Sequence, residues 1–430
     1  MFLTDLDSRA AIKGSRDPLG LVPLWSQFGR HVVGNLTTVT GSVRGFTTTL
    51  LGYHFAREVQ ERDGNKSEAT LALFLKFEQL AAYCRYQVKR DDGFRGIERV
   101  KRNLAEGGAL KLSARGEDQI LSNQKVYGLW GLYSVASRAS GLLERDEAIL
   151  TRRAREFVES QYIGFLSKEG FKDGRDVVEL LRQERADLQI AGKHAGLARA
   201  IAQIHGLKLT RAEREFYREH LVLGGPGDST KGRQGQLAEL MTKLPAGSPF
   251  DRKELKELIR QAGRRGEGWA PLADRLERVD LLESVLVPAE SAFAFVLARH
   301  GQKTAEVARE IEKAWGPLRF IDGKAFGAIQ GEVADAFHAP EAGGRWLKIV
   351  EALAAGDYRA LLRLLIEHNG SVMQTRNGSA PWIRVADGKL DVRFRDEVSE
   401  LPDRRELPGL WRNNYFLNPL KDVIGELAEA

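Results

Sequence analysis

The amino-acid sequence predicts a mainly α-helical protein, with a multi-helix body of two or three domains and a small C-terminal β-hairpin. Apolar residues recur every three or four positions over most of the 430 residues, which is the spacing of one helix face. Helix start signals precede several of these stretches, and strand signals are few and short. A chain of this length exceeds one ordinary core of roughly 150 residues, so more than one domain is expected.

The N-terminal half contains four predicted helical stretches, which cover 19–33, 42–61, 67–88 and 119–143. Glycines interrupt the pattern between the third and the fourth stretch, where 110–113 is a candidate strand. The only cysteine of the chain, Cys84, lies in the third stretch, and His54 lies on the apolar face of the second. We expect both side chains to be buried in a core.

The middle of the chain carries the clearest helix start signals. Thr210 with Glu213, and Asp251 with Glu254, have the spacing of capping boxes, so helices are expected to begin at these two positions. Further helices are predicted over 270–300, 303–315 and 345–368.

Near the C-terminus the spacing of apolar residues changes from helical to alternating, as in a strand. Two short alternating stretches flank an Asp387-Gly388 turn, which predicts a β-hairpin over 381–394. A last helix is predicted over 411–427.

Segment 224–235 is the predicted domain boundary. It is rich in glycine and nearly lacks apolar side chains, which is typical of a flexible linker. We therefore expect an N-terminal helical region over 1–223 and a C-terminal helical region over 236–430. The glycines do not form a phosphate-binding loop, because Lys231 is followed by Gly232 instead of serine or threonine.

Composition excludes several classes of protein. No run approaches the ~18 uncharged apolar residues that span a bilayer, and the acidic N-terminus does not resemble a signal peptide. One cysteine allows neither an intramolecular disulfide nor a multi-cysteine zinc site. We expect a cytoplasmic protein without a membrane partner.

No catalytic constellation stands out in the sequence. Three Arg–His pairs with spacings of five or six resemble the pattern of a helical family of RNA-cleaving domains, but roughly two to three such pairs are expected by chance. The pairs are Arg199/His205, Arg214/His220 and Arg363/His368. We therefore assign no catalytic residue, no metal ligand and no cofactor. A divalent-cation site built from distant carboxylates stays open as an alternative.

Positive charge is concentrated in the segment 85–115. It contains nine basic and four acidic residues, an excess of five within a chain whose net charge is +6. A local excess of this kind is typical of a surface that meets a polyanion. The candidate nucleic-acid-binding residues of this segment are Arg95, Arg99, Lys101, Arg102 and Lys111. If a helix begins near Phe94, Arg95, Arg99 and Arg102 share one face.

A second basic surface is predicted on the helix that follows Asp251. Its candidate residues for nucleic-acid binding have spacings of three and four and share a face, and they are Lys253, Lys256, Arg260 and Arg264. Apolar residues line another face. Glu254 and Glu257 lie beside the basic residues and favour the alternative, a solvated amphipathic helix. A third group of arginines (Arg376, Arg384, Arg393 and Arg395) accompanies Trp382 at the hairpin.

Two parts of the chain resemble a known group of proteins. GSRDPLGL over 14–21, GNLTTV over 34–39 and RGFTTTLL over 44–51 resemble the opening of uncharacterised bacterial proteins encoded among antiphage defence genes, beside helicases and nucleases. WRNNYFL over 411–417 adds to the resemblance. It covers about a quarter of the chain, contains no catalytic motif, and implies a biological setting.

The sequence therefore leads to one principal hypothesis, a non-enzymatic DNA-binding or scaffold subunit of a bacterial antiphage defence complex. Its expected partners are DNA and other proteins of that complex. The alternatives are a metal-dependent nuclease effector and a purely structural protein–protein adaptor.

Overall fold

The computed structural model describes residues 17–64, 69–107, 110–245, 247–376, 380–395 and 400–428. Over these residues the chain is mainly α-helical, as predicted. The helices are α1 Leu21–Arg30, α2 Arg44–Arg62, α3 Thr70–Lys89, α4 Ile97–Ala105, α5 Gln124–Tyr127, α6 Leu129–Ala139, α7 Arg152–Val158, α8 Gly164–Lys168, α9 Arg175–Arg182, α10 Ala195–Ile204, α11 Arg211–Tyr217, α12 Arg233–Met241, α13 Arg252–Gly263, α14 Ala270–Leu297, α15 Thr304–Trp315, α16 Gly323–Phe337, α17 Pro340–Ala355, α18 Tyr358–Thr375 and α19 Leu417–Ala428.

Strands form two small antiparallel sheets among the described residues. Strand β1 (Leu110–Leu112) pairs with β2 (Ala186–Leu188), and β3 (Ile383–Ala386) pairs with β4 (Lys389–Val392). Asp387 and Gly388 join β3 to β4 with positive φ angles of 50° and 72°, so the predicted Asp-Gly hairpin is confirmed. β1 likewise lies where the candidate strand was predicted.

The chain folds into two compact units. Unit 1 combines the residues up to Val32 with Pro249–Tyr415, and unit 2 combines Val33–Ser248 with the residues from Phe416 onward. Within the part of the chain that the structure describes, no helix has the length and apolar character needed to cross a membrane.

Unit 2 contains a buried ion pair between α2 and α11. The Nη1 atom of Arg44 donates to Oε1 of Glu213 at 2.5 Å, and the Nε atom of Arg44 donates to the carbonyl of Gly206 at 2.8 Å. The hydroxyl of Tyr162 donates to the same Glu213 oxygen at 3.1 Å. Glu213 also closes the capping box with Thr210 at the start of α11, so this predicted box is confirmed.

The predicted helix over 119–143 is two helices, α5 and α6, separated at Gly128. The cause is a carboxylate from another helix. Oε1 of Glu78 on α3 accepts a hydrogen bond from the backbone N–H of Leu129 at 2.8 Å, so it caps the start of α6. The sequence around 119–143 does not contain this cap.

The predicted boundary at 224–235 lies inside unit 2 and does not coincide with the division into units. Thr230 and Gln234 are fully buried there. The Nε2 atom of Gln234 donates to Oδ1 of Asn35 at 2.7 Å and to the carbonyl of Leu221 at 2.6 Å. Asp228 accepts from the backbone N–H groups of Thr230 and Gly232. Glycine content indicated a linker, but these polar side chains tie the segment to the body of unit 2.

In unit 1, the buried carboxylate of Glu283 on α14 organises the segment before α19. It accepts hydrogen bonds from the backbone N–H groups of Arg412 (2.6 Å) and Asn413 (3.2 Å), from Nδ2 of Asn413 (2.9 Å) and from the hydroxyl of Tyr415 (2.9 Å). The helix predicted over 411–427 begins only at Leu417, because Tyr415 and Phe416 have positive φ angles of 45° and 61°, which a right-handed helix does not contain.

Candidate nucleic-acid interface

Helix α13 of unit 1 carries the most exposed of the predicted basic surfaces. Asp251 and Glu254 form the predicted capping box at its start, which is confirmed. Leu255, Leu258 and Ala262 are fully buried and hold one face of the helix against the core. The predicted basic residues are all exposed, and they are Lys253, Lys256, Arg260 and Arg264. At 100° per residue they fall within an arc of about 80° and extend over about 16 Å of helix.

The charges of this face are only partly neutralised. Arg260 forms an ion pair with Glu257, and the resulting hydrogen bonds hold the pKa of the Glu257 carboxyl below its usual range. In the part of the chain that the structure describes, no carboxylate lies within ion-pair distance of Lys253, Lys256 or Arg264. These three cations have no direct ion pair among the described residues, while Lys256 lines a cleft with Asp274, Glu277 and Asp280, and Arg264 acts on the carboxyl of Glu257. Part of their field is therefore available to a partner in solution.

Arg252 neighbours this face in the sequence but has a structural role. Its side chain is buried, its Nε atom donates to Oδ1 of Asp280 at 2.5 Å, and its Nη2 atom donates to the Asp280 carbonyl at 2.9 Å. This contact joins the start of α13 to α14. The basic face is thus carried by a helix that is fixed at its first turn and along its apolar side.

The predicted helix over the 85–115 segment begins later than expected. Helix α4 starts at Ile97, and Gly96 precedes it with a φ of +86°, a conformation that glycine adopts readily. Arg95 therefore lies outside the helix, so the condition under which Arg95, Arg99 and Arg102 were expected to share one helix face is not met. Arg99 is half-buried, and its Nη1 atom donates to the carbonyl of Gln119 at 2.6 Å.

The other basic residues of this segment are largely matched by carboxylates. Lys101 lies 3.6 Å from Glu98, and Arg102 lies 3.9 Å from Glu106. Lys111 forms an ion pair with Asp187 because β1 pairs with β2. Arg115 is similarly bonded to Glu184, and Arg85 to Asp91. The local excess of charge counted from the sequence is therefore reduced by acidic residues that the fold brings from elsewhere.

The arginines near the hairpin do not form one surface with Trp382. The indole is buried and packs on Phe394, with ring centroids 4.2 Å apart. Arg376 is bonded to Asp17, whereas Arg384 and Arg395 are exposed. A buried indole cannot stack on a nucleic-acid base.

The histidines of the three Arg–His pairs are buried core residues. Nδ1 of His205 lies 2.8 Å from the carbonyl of Ile201, Nδ1 of His220 lies 2.8 Å from that of Ser140, and Nε2 of His368 lies 2.9 Å from that of Leu19. Burial lowers the pKa of His205 to about 3 and that of His368 to about 4. His54 and Cys84 are also buried, as predicted.

Among the described residues, no group of three or more His, Cys, Asp and Glu side chains has the arrangement of a metal site. Comparison with family models, curated proteins and solved structures gave no match to this chain. Among the described residues, the basic face of α13 is therefore the feature that most directly suggests a function.

Proposed function

We propose that this chain is a DNA-binding subunit without catalytic activity of its own, and that α13 contacts the phosphate backbone. The supporting observation is the set of exposed cations without carboxylate partners on one face, Lys253, Lys256 and Arg264. Arg260 lies on the same face. Phosphates follow one another closely along DNA, so a basic stripe of about 16 Å can meet several of them.

The anchoring of α13 favours binding. Its apolar face is buried and Arg252 is bonded to Asp280, so the helix loses little freedom when a ligand binds. Lysine and arginine side chains that contact only phosphates contribute affinity without base specificity. We therefore expect α13 to bind DNA of any sequence.

The sequence resemblance supports a setting for this activity. The resemblance over 14–21, 34–39 and 44–51 is to bacterial proteins encoded among antiphage defence genes, and we propose that the chain acts in the cytoplasm with protein partners of such a complex. Co-purification of the tagged chain from its host tests this setting, because a chain that acts with partners is recovered together with them.

Salt dependence of DNA binding tests the role of α13. Four phosphate contacts predict a slope of log K against log [salt] of about −3.6, and the variant Lys253→Gln/Lys256→Gln/Arg264→Gln is expected to reduce it to about −0.9. Fluorescence anisotropy of a labelled duplex at several salt concentrations measures the slope. A matched control removes three other exposed basic residues of unit 1, Arg309, Lys313 and Arg319.

The proposal predicts that the control variant keeps the slope of the unmodified protein. Equal slopes for all three proteins would show that α13 does not contact the phosphates. A parallel incubation of plasmid DNA and of RNA with Mg²⁺ or Mn²⁺ distinguishes the nuclease alternative, because metal-dependent cleavage by the purified chain would contradict a purely binding role. Absence of any nucleic-acid binding would favour the protein–protein adaptor.

A further inference from the structure

Unit 2 contains a cleft that the proposed DNA contact does not use. Its volume is about 360 Å³, within the range of small-molecule sites. The lining is mostly apolar and comes from the start of α2, from α3, from the loop before α4 and from α6. The apolar side chains that line it include Val39, Ala82, Phe94, Ile120, Leu129 and Tyr133.

Two arginines and one carboxyl group supply the charge of the cleft, and they are Arg85, Glu78 and Arg95. Arg85 is buried, its Nε atom donates to Oδ2 of Asp91 at 2.8 Å, and its guanidinium lies 5.0 Å from the ring centre of Phe94. Asp91 therefore balances the charge of Arg85.

Glu78 lines the cleft, is buried, and is hydrogen-bonded within the protein. Besides capping α6, it accepts a hydrogen bond from Nε2 of Gln124 at 2.8 Å through its second oxygen. Burial raises the pKa of the Glu78 carboxyl to about 7, although the nearby Arg95 acts in the opposite direction. Both oxygens of Glu78 are engaged by hydrogen bonds within the protein.

Arg95 differs from Arg85 because no carboxylate among the described residues pairs with it. Its Nε atom donates to the carbonyl of Tyr127 at 2.7 Å, which fixes the side chain without neutralising it. No carboxylate lies within ion-pair distance of Arg95 among the residues that the structure describes. Arg95 is exposed to solvent, whereas lining side chains such as Ala82, Ile120 and Tyr133 are buried.

We propose that this cleft binds a small amphipathic anion, whose flat apolar body lies among Phe94, Ile120 and Tyr133 and whose carboxylate or phosphate group pairs with Arg95. The apolar lining excludes a fully polar ion, because such an ion would lose its hydration without new partners. Arg95 selects a negative group because a guanidinium forms strong hydrogen bonds to carboxylates and phosphates.

The experiment uses 8-anilinonaphthalene-1-sulfonate as a fluorescent probe of the full-length protein. Four naphthalene compounds then compete with it: 2-naphthoate, 2-naphthyl phosphate, neutral 2-naphthol and cationic 2-naphthylmethylamine. Both anions are expected to displace the probe at about tenfold lower concentration than the neutral compound, and the cation is expected to bind most weakly. The stronger of the two anions identifies which acidic group the cleft prefers.

Three variants locate the binding. Gly41 lines the cleft, its φ is not positive, and an added Cβ would meet no atom within 4 Å, so Gly41→Trp is expected to fill the mouth without strain. Arg95→Gln is expected to remove the preference for anions but to leave binding of 2-naphthol unchanged, and Arg95→Lys is expected to restore part of it. Arg102→Gln, on the exposed side of α4, is the matched control.

Thermal unfolding of each variant separates loss of the site from loss of the fold. Failure of the probe to bind would overturn the proposal, as would unchanged binding to a folded Gly41→Trp protein. If Arg95→Gln weakens the binding of neutral and anionic compounds equally, Arg95 does not select for negative charge. None of these outcomes depends on DNA binding by α13, because the cleft and that helix belong to different units.

Discussion

Replacing Glu283 by glutamine tests how strongly one buried carboxylate stabilises the segment 412–415 that it binds. The carboxylate is fully buried and accepts four hydrogen bonds, two of them from the backbone N–H groups of Arg412 and Asn413. Glutamine has the same shape but only one acceptor oxygen, and its amide group would face two donors. Two hydrogen bonds to a charged group, each about 1.5–3 kcal/mol, would be lost. We expect the free energy of unfolding of unit 1 to fall by about 3–5 kcal/mol.

Hydrogen–deuterium exchange and urea unfolding measure this effect. A loss of about 3 kcal/mol corresponds to roughly a hundredfold faster exchange at the Arg412 and Asn413 amides, since each 1.4 kcal/mol is a factor of ten. Glu290→Gln is the matched control, because Glu290 lies on the same helix and 3.5 Å from Arg412, but its side chain is 41% exposed. We expect the control to change stability by less than about 1 kcal/mol. Equal effects of the two substitutions would refute the anchoring role of Glu283.

Two further predictions concern unit 2. Arg44→Met leaves Glu213 as an unpaired buried charge, so thermal and urea unfolding are expected to show a loss of about 3–5 kcal/mol. Arg57→Met on the same helix breaks only an exposed pair, and an equally large loss there would contradict this reasoning. Because burial lowers the pKa of His205 to about 3, its contribution to stability is complete above pH 6.5 and is lost as the pH falls towards 3. His205→Gln is therefore expected to flatten the dependence of stability on pH below 6.5. His300 is exposed, so His300→Gln is the control, and a flattened profile in that variant but not in His205→Gln would contradict the prediction.

The basic face of α13 could be predicted from the sequence because all its determinants lie within a few residues. The capping box joins positions three apart, and the alternation of basic and apolar residues follows the helical period. The sequence did not indicate that Arg252, which adjoins this face, is buried. Its partner Asp280 is 28 residues away on α14.

The 85–115 segment shows why a local count of charge can mislead. Nine basic residues stand close together in the chain, but the pairing of β1 with β2 brings Asp187 to Lys111 and Glu184 lies beside Arg115. Arg99 donates to a backbone carbonyl instead of facing solvent. The net charge of a surface depends on which distant residues share it, and spacing along the chain carries no information on that.

The sequence by itself determined the mainly helical fold, two capping boxes, the Asp-Gly hairpin and the burial of Cys84. These features depend on interactions between neighbours along the chain, or on the apolar character of one stretch. Only the tertiary structure decided where α6 begins, because Glu78 caps its first residue from 51 residues away. It likewise decided that Glu283, about 130 residues away, binds the backbone of Arg412 and Asn413. It also decided that the glycine-rich 224–235 segment belongs to the body of unit 2. A buried carboxylate or amide stabilises whichever backbone the fold brings to it, so its effect on local structure appears only when the whole chain is folded.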